Sequence, residues 1–214
     1  AVSRFGDEKK YHRESAKALN LLTLMSRGTP FIYQGEEIGM TNLKLEQEDW
    51  RDFEAINDYV VLQEMMHLPK FFAKKIVQKM TRDNARTPMQ WTNEVYAGFS
   101  KSKPWIKVNP NYQQINAADQ LKDPDSVFHY YQKLIRLRKE MDIIVYGEFE
   151  ALYRDHDQIF AYIRKLGSEQ LLTVCNFSAQ EAEMELPETF AEGTQCLITN
   201  MGRKVFDRKI TLNP

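Results

Sequence analysis

The spacing of apolar residues predicts a chain that is helical in its first two thirds. Apolar side chains recur with the period of an amphipathic helix in residues 8–27, 54–66, 71–80 and 125–140. We therefore predict four helices. From Ile143 onwards the period changes to two, which is typical of strands with one buried face.

The strand-like region predicts an antiparallel module. Residues with turn propensity at 155–157 and 167–168 separate its first apolar runs. We predict an antiparallel β-sandwich over residues 142–214. Its strands are expected at Gly147–Tyr153, Ile159–Arg164, Leu171–Phe177, Ala182–Leu186 and Cys196–Thr199.

One short apolar run, Phe31–Tyr33, interrupts the helical part. Pro30 precedes it and Gly35 ends it, which predicts a buried strand. Glu36 and Glu37 follow directly. Because the loops after the strands of α/β barrels build the active site, this position brings two carboxylates to a functional face. The alternative is an ordinary strand-to-loop junction with solvated glutamates.

A second dense motif lies at residues 81–91. It carries Arg82, Asp83, Asn84 and Arg86, and Pro88 keeps it out of a regular helix. A guanidinium offers planar donors that can hold a carboxylate or several sugar hydroxyls. The alternative is a structural cluster of ion pairs, and the residues alone do not decide between the two.

Composition narrows the functional classes. The chain has 214 residues and a net charge of −1, so no basic excess indicates nucleic acid or an anionic membrane surface as a partner. No apolar run approaches the roughly 20 residues of a membrane span. The histidines are scattered without metal-ligand spacing, and we predict no metal and no cofactor.

Cysteine use and the first residues indicate the compartment. Cys175 and Cys196 are too few for a disulfide scaffold. We interpret both as small buried hydrophobes in strands, with a disulfide between them as the alternative. The chain starts without Met and without the apolar core of a signal peptide. We expect a cytoplasmic protein that is cut from a longer one.

Taken together, these segments resemble the α-amylase-type glycoside hydrolases of family 13. Residues 28–42 and 82–91 carry the resemblance, and residues 97–99, 104–112 and 134–139 extend it in one register. Within the family, the similarity is to oligo-1,6-glucosidases, dextran glucosidases and trehalose-6-phosphate hydrolases.

The resemblance implies an α/β plus all-β fold. Residues 1–141 would be the C-terminal part of a (β/α)8 TIM barrel, with residues 30–34 as its eighth strand and residues 41–124 as an insertion after it. Residues 142–214 would be the C-terminal β-sandwich domain, with its last strand missing.

The resemblance also assigns site residues. The family's catalytic scheme is a retaining one with an Asp nucleophile and a Glu acid/base, and no residue of this chain matches either, so no catalytic residue is predicted. Arg82 matches the arginine that holds the non-reducing-end glucose, and Glu54 matches the acid that meets the next glucose. Arg86, Glu36 and Glu37 would support the site without touching the sugar.

These features predict the C-terminal part of an exo-acting α-glucosidase that hydrolyses α-1,6 bonds of short isomalto-oligosaccharides. As a separate piece it would be inactive, and its unpaired strand edges would favour self-association. The alternatives are a trehalose-6-phosphate hydrolase and, from another class, a non-catalytic carbohydrate-binding or interaction module.

Overall fold

A computed structural model describes residues 1–190, 194–200 and 208–214. These residues form two compact units, one made of Ala1–Gly39 together with Asp123–Pro214 and the other of Met40–Lys122. The first unit combines helices with strands, and the second is built of helices and loops.

The helices of the first unit are α1 (Val2–Phe5), α2 (His12–Met25), α6 (Val127–Glu140) and α7 (Asp142–Tyr146). Helices α2 and α6 pack together because each has an apolar stripe. Their buried side chains form one cluster with residues of α7 and of the following sheet, namely Leu24, Met25, Tyr130, Tyr131, Leu134, Ile143, Ile144 and Tyr162.

Two antiparallel sheets complete the first unit. Strands β1 (Glu148–Leu152), β2 (Ile159–Leu166) and β3 (Glu169–Asn176) form one sheet in sequence order. Strands β4 (Ala182–Glu185) and β5 (Lys209–Leu212) form the other. Alternate residues of β2, β4 and β5 contribute to a single apolar cluster, so the inner faces of both sheets share one core.

The second unit contains α3 (Phe53–Val60), which continues into a π-helical segment at Val61–Met65, followed by α4 (Lys70–Met80) and the single turn α5 (Ala117–Gln120). Short 3₁₀ turns occupy Gln47–Asp49, Arg82–Arg86, Val95–Gly98 and Pro110–Gln113. A core of Leu43, Leu45, Trp50, Ala55 and Val77 holds α3 against α4.

The expected buried strand at Phe31–Tyr33 is absent from both sheets, and this prediction is wrong for the chain as described. The side chain of Phe31 is 88% exposed, and Ile32 and Tyr33 are also exposed. A parallel strand needs a neighbouring strand to pair with, and parallel sheets are covered on both faces. Within the described residues, every strand lies at Glu148 or beyond.

The strand-rich region differs from the sequence interpretation at three further points. Residues 196–199 form no strand, and the second strand of the small sheet is instead Lys209–Leu212. Residues 142–146 form a helix rather than the start of the strands. Cys175 and Cys196 are both free thiols, so the alternative of a disulfide is also wrong. Cys175 is buried in β3, whereas Cys196 lies outside any strand and is half-buried.

None of the helices formed by residues 1–190, 194–200 and 208–214 combines the length and the apolar character that a membrane crossing requires. In the same part of the chain, no group of at least three His, Cys, Asp or Glu side chains could hold a metal ion.

Candidate functional site

The second unit brings the starts of two elements together. Asp52 directly precedes α3, and Glu54 lies in the first turn of that helix. Arg82 opens the 3₁₀ turn that follows α4. Because Ala55 of α3 and Val77 of α4 pack in the same core, the end of α4 lies beside the beginning of α3.

Two buried carboxylates connect these segments reciprocally. Asp52 accepts a hydrogen bond from the backbone N–H of Arg82 at 2.8 Å and another from its Nη2 at 3.0 Å. Asp83 accepts the backbone N–H groups of Arg51 at 2.8 Å and of Asp52 at 3.1 Å. Each acid therefore fixes the backbone of the other segment. Both carboxylates are buried, and a buried carboxylate is stable only when it accepts hydrogen bonds.

Arg82 and Glu54 contact each other. Nη2 of Arg82 lies 3.2 Å from Oε1 of Glu54, and both side chains are mostly exposed. The hydrogen bond to Asp52, together with the charges of Asp52 and Glu54, raises the pKa of the Arg82 guanidinium. Burial acts to raise the pKa of Asp52, but the hydrogen bonds and charge of Arg82 outweigh it and hold that pKa below its usual range.

Arg86 contacts the acid behind this pair. Its Nη1 lies 3.7 Å from Oδ1 of Asp83, whose side chain is fully buried. Thr81 caps the same turn, because its Oγ1 accepts the N–H of Asp83 at 3.2 Å. Arg86 and Thr81 thus both contact Asp83 within this turn.

The loop after this turn is fixed by backbone hydrogen bonds. The N–H groups of Trp91 and Thr92 both donate to the carbonyl of Ala97, at 2.9 and 3.0 Å. Tyr96 and Ala97 have φ values of 55° and 58°, a left-handed conformation that non-glycine residues seldom adopt. The Trp91 ring is half exposed, so it is accessible to a ligand rather than packed as an anchor.

Glu36 and Glu37 lie in the first unit, in a 3₁₀ turn between Gly35 and Gly39. Both glycines have positive φ, which lets the chain turn sharply on either side. Oε2 of Glu36 accepts the N–H of Tyr33 at 3.3 Å. Nε2 of His12 forms a hydrogen bond of 2.7 Å with the carbonyl of Gly39 and fixes the end of the turn.

The two glutamates affect a buried tyrosine of α6. Burial first, and then the negative charges of Glu36 and Glu37, raises the pKa of Tyr131 to about 12. The structure thus brings Glu54, Arg82 and Arg86 together in one unit, whereas Glu36 and Glu37 belong to the other unit.

Asp52 was not predicted from the sequence as a member of the site, and Asp83 was named only as part of the motif at residues 81–91. The signal for Asp52 was its place directly before a helix, where an acid is a favoured N-cap residue. Asp83 carried no comparable signal, because its partners Arg51 and Asp52 are distant in sequence.

Two protein-family models match consecutive parts of the chain. The model described as "Alpha amylase, catalytic domain" matches residues 1–147. The model described as "Maltogenic Amylase, C-terminal domain" matches residues 149–213.

Individual relatives agree with these matches. An oligo-1,6-glucosidase of Parageobacillus thermoglucosidasius is 51% identical over 203 residues, which is 94% of this chain and 36% of that protein. A trehalose-6-phosphate hydrolase of Bacillus subtilis is 42% identical over 217 residues, covering 100% of this chain and 38% of that protein. The chain thus spans little more than a third of the length of these relatives.

A solved structure also matches over the whole chain. The crystal structure of the isomaltulose synthase SmuA from Protaminobacter rubrum has a TM-score of 0.95 and 40% sequence identity, covering 100% of this chain and 39% of that one. The described fold is therefore similar to a part of that longer protein.

Proposed function

This chain belongs to the α-amylase family, and from that premise we propose that it forms the C-terminal part of an exo-acting, retaining α-glucosidase. The proposed reaction is hydrolysis of α-1,6-glucosidic bonds in short isomalto-oligosaccharides. The similarity to an oligo-1,6-glucosidase supports this substrate class. The trehalose-6-phosphate hydrolase is the alternative, because a relative with that name matches the chain over its full length.

The observation that carries the proposal is the exposed contact between Arg82 and Glu54 above the buried Asp52. A guanidinium donates to hydroxyl groups, and a carboxylate accepts from them. Arg82 would bind the non-reducing-end glucose, and Glu54 would bind the next unit. Fixing both sugars in place aligns the glycosidic bond before the reaction begins.

The bond-breaking step needs two further carboxyl groups. In retaining glycosidases one is the nucleophile and the other the acid/base, about 5–5.5 Å apart. We assign neither role to a residue of this chain. The chain's contribution is to bind and orient the sugar, and a polypeptide that carries the barrel's other strands would supply the catalytic pair.

The exposed segment Phe31–Tyr33 fits the same proposal. We propose that it becomes the eighth strand of a (β/α)8 barrel only when the barrel's other strands pair with it and cover its exposed side chains. Residues 1–141 would then belong to the barrel and residues 142–214 to a C-terminal β-sandwich, whose two antiparallel sheets share one apolar cluster.

The test uses the complete reading frame that contains this chain, whose product we call the complete enzyme. We expect it to release glucose from isomaltose with a higher kcat/KM than from trehalose 6-phosphate. The opposite preference would replace the proposed substrate by the alternative. A folded product without activity on either sugar, or a reading frame no longer than this chain, would support a non-catalytic binding module and overturn the proposal.

A further inference from the structure

We propose that Asp52 is a positioning residue that holds the Arg82 guanidinium in the orientation that binds sugar. The inference rests on the proposed function, because it concerns how the sugar-binding arginine of that site is fixed. Asp52 would not touch the substrate. Its carboxylate would act only through Arg82.

The side chains of Arg82 and Asp52 differ strongly in exposure to solvent. The side chain of Arg82 is 54% exposed, whereas that of Asp52 is 3% exposed. An exposed arginine samples many rotamers. If a ligand must immobilise such a side chain when it binds, the entropy lost lowers the affinity of the site. A buried, fixed carboxylate removes that freedom before the ligand arrives.

Asp52 contacts both the backbone and the side-chain tip of Arg82. Oδ2 accepts the Arg82 backbone N–H at 2.8 Å, and Oδ1 accepts its Nη2 at 3.0 Å. The two bonds fix the start and the tip of one flexible side chain. A salt bridge to the tip alone would leave the backbone of Arg82 free to shift.

Arg82 has further donors besides the nitrogen that contacts the two acids. Its Nη2 contacts both Asp52 and Glu54. Within residues 1–190, 194–200 and 208–214, Nε and Nη1 of Arg82 donate no hydrogen bond. A guanidinium has five N–H groups in a rigid planar fork, so holding Nη2 also fixes the direction of the others.

Asp52 is itself fixed from behind. The buried carboxylate of Asp83 accepts the backbone N–H groups of Arg51 and Asp52. Since Asp83 follows Arg82 directly, the two short segments are closed into a ring of hydrogen bonds. The position of the Asp52 carboxylate is therefore determined by the same loop whose arginine it orients.

The test is a double-mutant cycle in the complete enzyme, with Asp52→Asn, Arg82→Ala and both substitutions together. We expect Asp52→Asn to lower kcat/KM for isomaltose about 10- to 100-fold, and to change it less than about threefold in the Arg82→Ala background. A purely structural aspartate would cause the same proportional loss in both backgrounds. That additive result, or wild-type activity of Asp52→Asn, would overturn the proposal.

Asp49→Asn is the matched control. Asp49 lies in the same loop and also pairs with one cation and one backbone N–H, those of Lys107 at 2.7 Å and Glu46 at 3.3 Å. Because neither partner belongs to the proposed sugar site, we expect kcat/KM to stay within about twofold of wild type.

Chemical rescue gives a readout that does not depend on the stability of the variants. Free guanidinium at millimolar concentration should restore part of the activity of Arg82→Ala, because Asp52 can still bind it, but should not restore Arg82→Ala/Asp52→Asn. Equal rescue of both variants would contradict the proposal. Asp52→Ser replaces Asp52→Asn if circular dichroism shows that the latter does not fold.

Different results would overturn the proposed function and the proposed role of Asp52. A wild-type complete enzyme without activity on either sugar would overturn the proposed function. An active wild-type enzyme whose double-mutant cycle is additive would overturn only the role of Asp52.

Discussion

The Oε1 atom of Glu54 lies 3.2 Å from Nη2 of Arg82, so the two residues assigned to neighbouring sugar units are in direct contact. Their side chains are 72% and 54% exposed, and an ion pair in that environment contributes little to stability. The contact places an acceptor and a donor for hydroxyl groups side by side on an accessible surface.

Glu54→Gln should therefore alter substrate use more than stability. We expect kcat/KM of the complete enzyme to fall about tenfold for isomaltose, because Glu54 would contact its second glucose, and to fall less for an aryl α-glucoside that lacks that sugar. The free energy of unfolding should change by less than about 1 kcal/mol. Glu46→Gln, which removes an exposed ion pair with Lys74, is the control. Equal losses on both substrates would argue against this role.

Arg164→Met should destabilise the first unit strongly. Arg164 is fully buried and donates to the backbone carbonyls of Met25, Ile144, Gly147 and Glu148. Its loss leaves buried acceptors without donors, and we expect about 3 kcal/mol or more of destabilisation. Urea unfolding of the chain measures this.

The neighbouring residue provides the control for that experiment. Lys165 lies on the same strand, has a side chain that is 43% exposed, and pairs with Glu150 at 2.5 Å. Lys165→Met should change the free energy of unfolding by less than about 1 kcal/mol. Similar values for the two variants would contradict the structural role given to Arg164.

Tyr131 should make the chain less stable at alkaline pH. Its pKa is raised to about 12 by burial and by the charges of Glu36 and Glu37, whereas the pKa of a tyrosine in an unfolded chain is about 10. Its contribution to stability is therefore complete below about pH 10 and is lost as the pH rises towards its folded pKa.

The variant Tyr131→Phe tests this directly. Between about pH 10 and 12, its free energy of unfolding should fall by about 1.4 kcal/mol less per pH unit than that of the wild type. Tyr146→Phe removes the hydroxyl of an exposed tyrosine and serves as the control. An unchanged slope for Tyr131→Phe would show that the phenol ionises with its ordinary pKa.

The two thiols should react at different rates. Burial raises the pKa of Cys175 to about 12, so little thiolate forms at pH 8 and reagents cannot reach it. Cys196 is only half-buried. We expect iodoacetamide to label Cys196 in the native chain and Cys175 only after unfolding, as mass spectrometry of peptides would show. Comparable native rates would contradict the described burial.

The long helices could be predicted from the sequence because their period is a local signal. Residues 125–140 were expected where α6 is Val127–Glu140, and residues 71–80 where α4 is Lys70–Met80. The ends differ because caps depend on side-chain geometry. Asp7 accepts the N–H groups of Lys9 and Lys10 in a turn, and α2 begins only at His12.

The strands were harder to predict where pairing depends on distant partners. Phe31–Tyr33 has the composition of a strand but belongs to neither sheet. Composition reports propensity, whereas a strand forms only with a neighbour. The three-stranded sheet was predictable because its short turns connect consecutive strands in a local, antiparallel order.

The site was only partly accessible from the sequence. Arg82 and Glu54 came from the family resemblance, and their roles remain predictions. Asp52 was missed because its hydrogen bonds to Arg82 span 30 positions. A contact of that separation is a property of how α3 packs on α4, which the local pattern does not encode.

The most direct test of the account is the kcat/KM of Arg82→Ala in the complete enzyme with isomaltose as substrate. If Arg82 binds the non-reducing-end glucose, the value should fall about 100- to 1000-fold, or about 3–4 kcal/mol of transition-state stabilisation. Arg51→Ala, which removes a guanidinium that donates to the carbonyls of Glu48 and Trp50, should stay within about threefold of wild type. A folded Arg82→Ala enzyme with wild-type kcat/KM would contradict the account.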